Sequence, residues 1–165
     1  MNEENLKTYL NDHLAGSEGA VELAQHARNS DPDTPLGAFF HTFLVEIEED
    51  RAILRDLLER LGGGTNAAKT AVGWLGEKAA RLKLNHPLQD YTAFVRMEEL
   101  EGLLLGVRGK LALWHALGAT VASDPRLSHV DFAVLAERAE RQLGEIERHR
   151  LEAAREALGS GAPRT

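Results

Sequence analysis

Apolar residues in this chain recur at spacings of three and four, and no stretch sustains the alternation of a β-strand. That feature restricts the chain to helices packed on helices. Four breaks punctuate the pattern. At the first, Thr34 suits an N-cap, and Pro35 suits the first helical position, where its missing N–H costs nothing. At the second, Leu61 runs into Gly62-Gly63-Gly64, which offers the left-handed residue that closes a helix, and Thr65-Asn66 can cap the next one. Asn85-His86-Pro87 is the third, with Asp90 as the following cap. Ser123-Asp124-Pro125 is the fourth, leading into Ser128-His129-Val130-Asp131, a capping box with Asp in place of Glu.

Five helical segments lie between the breaks. The first, about 3–29, places Leu6, Leu10, His13, Ser17, Val21 and Ala24 on one stripe. The second, about 35–61, carries Leu36, Phe40, Phe43, Ile47, Asp50, Leu54, Leu57 and Leu61. The third, about 66–84, is short and carries Ala67, Ala71, Trp74, Leu75, Ala79 and Leu82. The fourth, about 90–121, carries Phe94, Met97, Glu101, Leu104, Arg108, Leu111 and His115, beside a second stripe of Leu100, Val107 and Trp114. The fifth, about 129–158, carries Phe132, Leu135, Ala139, Gln142, Ile146, His149 and Ala153.

At about 1.5 Å per residue the four long segments each span roughly 40 Å. Short loops after the first and fourth make each pair an antiparallel hairpin. The third segment is long enough to return the chain along the bundle. The expected fold is all-α: a four-helix bundle of two antiparallel hairpins, with a short fifth helix in the crossover. It forms one domain over 1–158, and 159–165 is a frayed tail.

Composition narrows the chemistry. Apolar residues are 43% of the 165, enough to bury a core. With no cysteine there is no disulfide, thiolate zinc site, iron–sulfur cluster or thiol nucleophile. A formal charge of −7 points away from nucleic acid or an anionic membrane as partner. The polar, acidic stretch Met1 to Leu10 is no signal peptide, and no apolar run reaches the roughly 18 residues of a membrane span. A soluble, cytoplasmic protein is expected. No dinucleotide fingerprint, phosphate loop, nucleophile elbow or H-E-x-x-H occurs. Arg138, Arg141, Arg148, Arg150 and Arg155 alternate with glutamates as a solvated, salt-bridged face.

The layout of two helical hairpins and one long crossover resembles the ferritin-like bundle. Val45-Glu46-Ile47-Glu48-Glu49-Asp50-Arg51, leading to Leu57-Leu58-Glu59-Arg60-Leu61-Gly62, looks like the second helix of ferritin-like proteins. Tyr9-Leu10-Asn11-Asp12-His13-Leu14-Ala15-Gly16-Ser17 resembles the opening of uncharacterised bacterial members. Metal-binding ferritin-like proteins carry Glu on two helices and Glu-x-x-His on two others, because positions three apart share a face. Here the pattern departs. Glu46 is followed by Glu49 and Asp50 without a histidine, and Glu145 is four residues before His149. The resemblance therefore implies no iron oxidation.

His13, Asp50, Glu101 and His149 are ionisable residues on otherwise apolar lines, and each needs a partner if buried. Folding the hairpins places His13 level with Asp50 and Glu101 level with His149. Together with Glu46 they could hold Fe, Mn or Zn. The favoured reading is two separate pairs fixing helix register, since a full-length crossover separates them by about 20 Å at 1.5 Å per residue. His41 lies level with Glu22 across the first hairpin but suits an exposed helix position, and His26, His86, His115 and His129 suit surface, loop or helix-end positions. Gly16, Gly19, Gly102, Gly106 and Gly109 inside helices need a reason, either close helix approach or room for a ligand. Trp74 and Trp114 suit core anchors or a self-association surface. Three functions follow. The leading one is a non-catalytic bundle acting through protein contacts, such as a homo-oligomer (a dimer). The others are a metal-binding bundle with unorthodox ligands and a small-ligand carrier.

Overall fold

A computed structural model describes residues 2–63 and 91–159. Among them are four long helices and no strand: α1 Glu3–Ser30, α2 Pro35–Arg60, α3 Ala93–Thr120 and α4 Phe132–Leu158. The expected third segment, with Trp74, and the break at Asn85-His86-Pro87 lie outside the described residues.

The helix ends follow local chemistry. Asn2 caps α1 by accepting from Asn5 N–H at 3.1 Å. Thr34 caps α2 by accepting from Gly37 N–H at 3.2 Å, with Pro35 beside it. Gly62 closes α2 at φ 68°, a conformation L side chains rarely adopt, and Gly63 N–H returns to the Leu58 carbonyl at 2.9 Å. Two caps differ from the sequence reading. Thr92 caps α3, so that helix begins at Ala93. Asp131, rather than Ser128, caps α4, accepting from Ala133 and Val134 at 3.1 and 3.2 Å. Two 3₁₀ turns, Val121–Ser123 and Pro125–Leu127, occupy the residues between. The Asp124 carboxylate holds them by accepting from the Arg126 backbone and guanidinium.

α1 packs on α2 and α3, and α4 packs on α3 and α2. Contacts between α1 and α3 pair rising with falling numbers. His26 meets Glu99, and a Cβ on Gly102, Gly106 or Gly109 would face Leu23, Ala20 or His13. Contacts between α2 and α4 run the same way, with Phe39 on His149 and Asp50 on Arg138. Gly63 sits beside Lys7 near the start of α1, and Tyr91 packs on His26 near its end. The two chain ends flanking residues 64–90 therefore lie at opposite ends of α1.

The stripes of α2 and α4 are buried at every position named above. α3 differs. Of its first line, Phe94, Glu101, Arg108 and His115 are exposed and Leu104 is half-buried, while Met97 and Leu111 join Leu100, Leu103, Val107, Trp114 and Leu117 in the core face. The cause is Leu103-Leu104-Leu105 and similar runs, which make α3 apolar on nearly every side and leave period alone unable to select a face.

The glycines of α3 let it approach α1. A Cβ at Gly106 would have Ala20 Cβ at 4.0 Å as its nearest neighbour, whereas one at Gly102 would meet Leu23 Cδ1 at 3.3 Å. Gly106→Ala is therefore expected to stabilise the fold by up to about 1 kcal/mol through helix propensity. Gly102→Ala should gain less, because Leu23 must yield. Urea denaturation of the two variants checks the order, and a larger gain at Gly102 would contradict it.

Candidate functional site

The interior of the bundle holds a connected polar cluster. Asp50 is buried on α2 and accepts from Lys110 of α3 at 2.6 Å and from Arg138 of α4 at 3.2 Å. Lys110 also donates to Gln142 Oε1 at 2.5 Å, and Gln142 Nε2 donates to Glu46 at 2.7 Å. Arg141 completes the chain on the other Glu46 oxygen. Burial pushes the Asp50 carboxyl up and the Lys110 ammonium down, while each partner's charge pulls the other way. Burial also lifts Glu46, but hydrogen bonds from Gln142 and Arg141 outweigh it and hold this carboxyl below its ordinary value. A tethered ammonium thus stands among the oxygens of Asp50 and Gln142.

The five candidates from the sequence are not gathered at one point. Asp50 and His13 line the same cavity, yet the partners of Asp50 are Lys110 and Arg138. Glu101 is on the exposed face of α3 and bonds Arg150 at 3.3 Å. His149 is buried beside Phe39, with Arg148 donating to its Nε2 at 2.9 Å. That donor requires Nε2 to accept, which puts the ring proton on Nδ1, facing Glu152 at 3.5 Å. Glu46 is half-buried in the cluster around Gln142. Among the described residues no group of three or more His, Cys, Asp or Glu is placed to hold a metal ion. One arginine read as solvated reaches inward instead, Arg138 to Asp50, while Arg141 stays exposed and pairs with Glu46 across the helices. Sequence reasoning also missed Glu99, buried on α3, whose carboxylate meets His26 Nδ1 at 2.7 Å.

A cavity of about 380 Å³ lies between α1, α2 and α3. Its wall is mostly apolar: Tyr9 and Ala20 from α1, Ile47 and Leu54 from α2, Val107, Leu113 and Trp114 from α3. Gly16, Gly106 and Gly109 line it too, whereas Gly102 faces Leu23 of α1 outside the cavity and Gly19 has no neighbour to approach. Its polar groups are few. Lys110 and Asp50 satisfy each other. Trp114 is fully buried and stacks near Phe132 at 6.2 Å, but its Nε1–H has no hydrogen-bond partner among the described residues. Arg51 lines the same cavity, and its Nε is buried without a hydrogen-bond partner among the described residues.

His13 sits edge-on to Tyr9 at 4.7 Å, and burial lowers its pKa. Burial likewise lowers that of His149, aided by the Arg148 charge. Both folded values lie below the 6.5 of an ordinary imidazole, so folding favours the neutral rings. Their contribution is complete above pH about 6.5 and is lost as pH falls through the folded values. Thermal midpoints should therefore drop from about pH 7 to pH 5, and His13→Gln combined with His149→Gln should flatten that slope. An unchanged slope in the double variant would contradict the assignment.

No helix among the described residues is long and apolar enough to cross a membrane. Comparison with protein-family models, curated proteins and solved structures finds no match.

Proposed function

We propose that this protein is a small-molecule-binding helical bundle that takes its ligand into the cavity between α1, α2 and α3. The observation that carries this reading is a mainly apolar space of about 380 Å³ between three helices, lined by Gly16, Gly106 and Gly109 and by the buried Trp114. Ligand sites are commonly about 300–1,000 Å³, mostly apolar, with a few placed polar groups. An apolar cavity also leaves its lining atoms without dispersion partners, which a ligand restores. In fold terms the bundle is ferritin-like: two antiparallel hairpins, α1 with α2 and α3 with α4, joined by a long connection. Support comes from the reversed numbering of contacts between α1 and α3, and from the placement of Gly63 and Tyr91 at opposite ends of α1.

Calorimetric titration with toluene tests the reading. Wild type should bind saturably. Gly106→Leu, which puts a side chain into the cavity, should lose binding while keeping helical circular dichroism. Absence of binding to wild type, or equal binding to Gly106→Leu, would remove the proposal.

A further inference from the structure

A helix that is apolar on nearly every side is normally covered on every side, yet α3 leaves one face open. That face is a single line along the helix: Phe94, Glu101, Leu105, Arg108, Ala112 and Ala116. Phe94 is 41% exposed and Leu105 48%, and the other four are exposed as well. The charges of the line flank Leu105. Glu101 meets Arg150 of α4 through Oε1 at 3.3 Å, which leaves Oε2. Arg108 has no partner among the described residues. Arg148 and Arg150, by contrast, pair with glutamates of their own helix.

The order of residues along the line decides what fits it. Laid parallel and in register, two copies of α3 would set Glu101 on Glu101 and Arg108 on Arg108, like charge on like. Laid antiparallel about Leu105, they set Glu101 of each copy level with Arg108 of the other, as a two-fold interface requires. The same rotation carries the Phe94 ring of each copy onto the small Ala112 and Ala116 of the other. Leu105 then meets Leu105 at the axis, and the half-buried Glu98 falls within a turn of the same arginine. Charge, size and apolar contact agree on one register. From Phe94 to Ala116 the line runs about 33 Å at 1.5 Å per residue.

We infer that the open face of α3 is a homodimer interface, in which two α3 helices pair antiparallel about Leu105 with Glu101 of each copy on Arg108 of the other. Leu105 also borders the cavity, yet the pairing stands or falls without any ligand.

Analytical ultracentrifugation of the full chain at several concentrations tests this. Wild type should be a dimer in reversible equilibrium with monomer. Glu101→Arg and Arg108→Glu each put like charges face to face across the axis and should weaken dimerisation about tenfold or more. The double variant carries the reversed pair and should recover most of the loss. Leu105→Glu should abolish the dimer. Helical circular dichroism should be unchanged throughout. If Glu101→Arg does not fold for want of its pair with Arg150, Arg108→Glu decides, because it breaks no contact among the described residues. A dimer indifferent to Leu105→Glu, or a double variant no tighter than the single ones, would overturn the interface. So would a wild type that stays monomeric at every concentration, which would leave the face to a different protein.

Discussion

Lys110→Met should cost the fold about 3 kcal/mol or more in urea denaturation, although the substitution replaces a polar side chain with an apolar one inside the bundle. The reason is what it leaves behind. Asp50 is 2% exposed, and its Oδ2 has the Lys110 ammonium at 2.6 Å. Removing the ammonium strands a buried carboxylate, together with a Gln142 oxygen that Lys110 also served. Arg138 remains on Oδ1 at 3.2 Å and limits the loss, which places it near the lower end of the about 3–5 kcal/mol seen when one partner of a buried pair is deleted. The double variant Asp50→Leu with Lys110→Met removes both charges and should return most of the stability, because well-packed apolar replacements of such pairs are often neutral. A double variant no more stable than the single one would show that the pair contributes through packing rather than charge.

Trp114→Ala should be about as damaging, at about 3–5 kcal/mol. Trp114 is fully buried, packs near Phe132, and forms one wall of the cavity. Deleting the ring merges its volume with the existing space, and the cost of such a deletion rises with the void that remains. Trp114→Phe should be far milder, because the lost indole N–H bonds nothing among the described residues. Equal losses for Ala and Phe would mean that the N–H has a partner after all.

Where the chain alternates clearly between apolar stripe and polar face, its sequence was a sufficient guide. Every stripe position of α2 and α4 is buried, Thr34 and Pro35 start α2, and Gly62 ends it. α3 was less legible. With leucine on nearly every side, its two stripes could not be ranked, and Glu101 was placed on a line of which Met97 and Leu111 are buried but Glu101, Arg108 and His115 face solvent. The partner of Asp50 was missed for a related reason. Lys110 lies beside Gly109 and between two leucine-rich turns, and nothing in its local spacing shows that its long side chain reaches inward across helices. Arg138 and Arg141 looked like members of a ladder of ion pairs three and four apart, as Arg148 and Arg150 are, until α2 is laid beside them. The cavity could not be seen at all, since it exists only where three helices converge. The glycines were its one trace in the sequence, and they admitted a second explanation. A role in protein contacts led the sequence reading because the expected metal pattern was broken; the cavity now favours the ligand-carrier alternative.

Magnetic resonance on isotope-labelled protein addresses that shift most directly. Gly16, Gly106 and Gly109 supply backbone amides in the cavity wall, and Trp114 supplies an indole N–H. Added toluene should move these four signals together, saturably and with one dissociation constant, while amides on the exposed face of α4 stay in place. Signals that remain fixed up to the solubility limit of toluene, or shifts spread evenly over the whole bundle, would contradict a built ligand site.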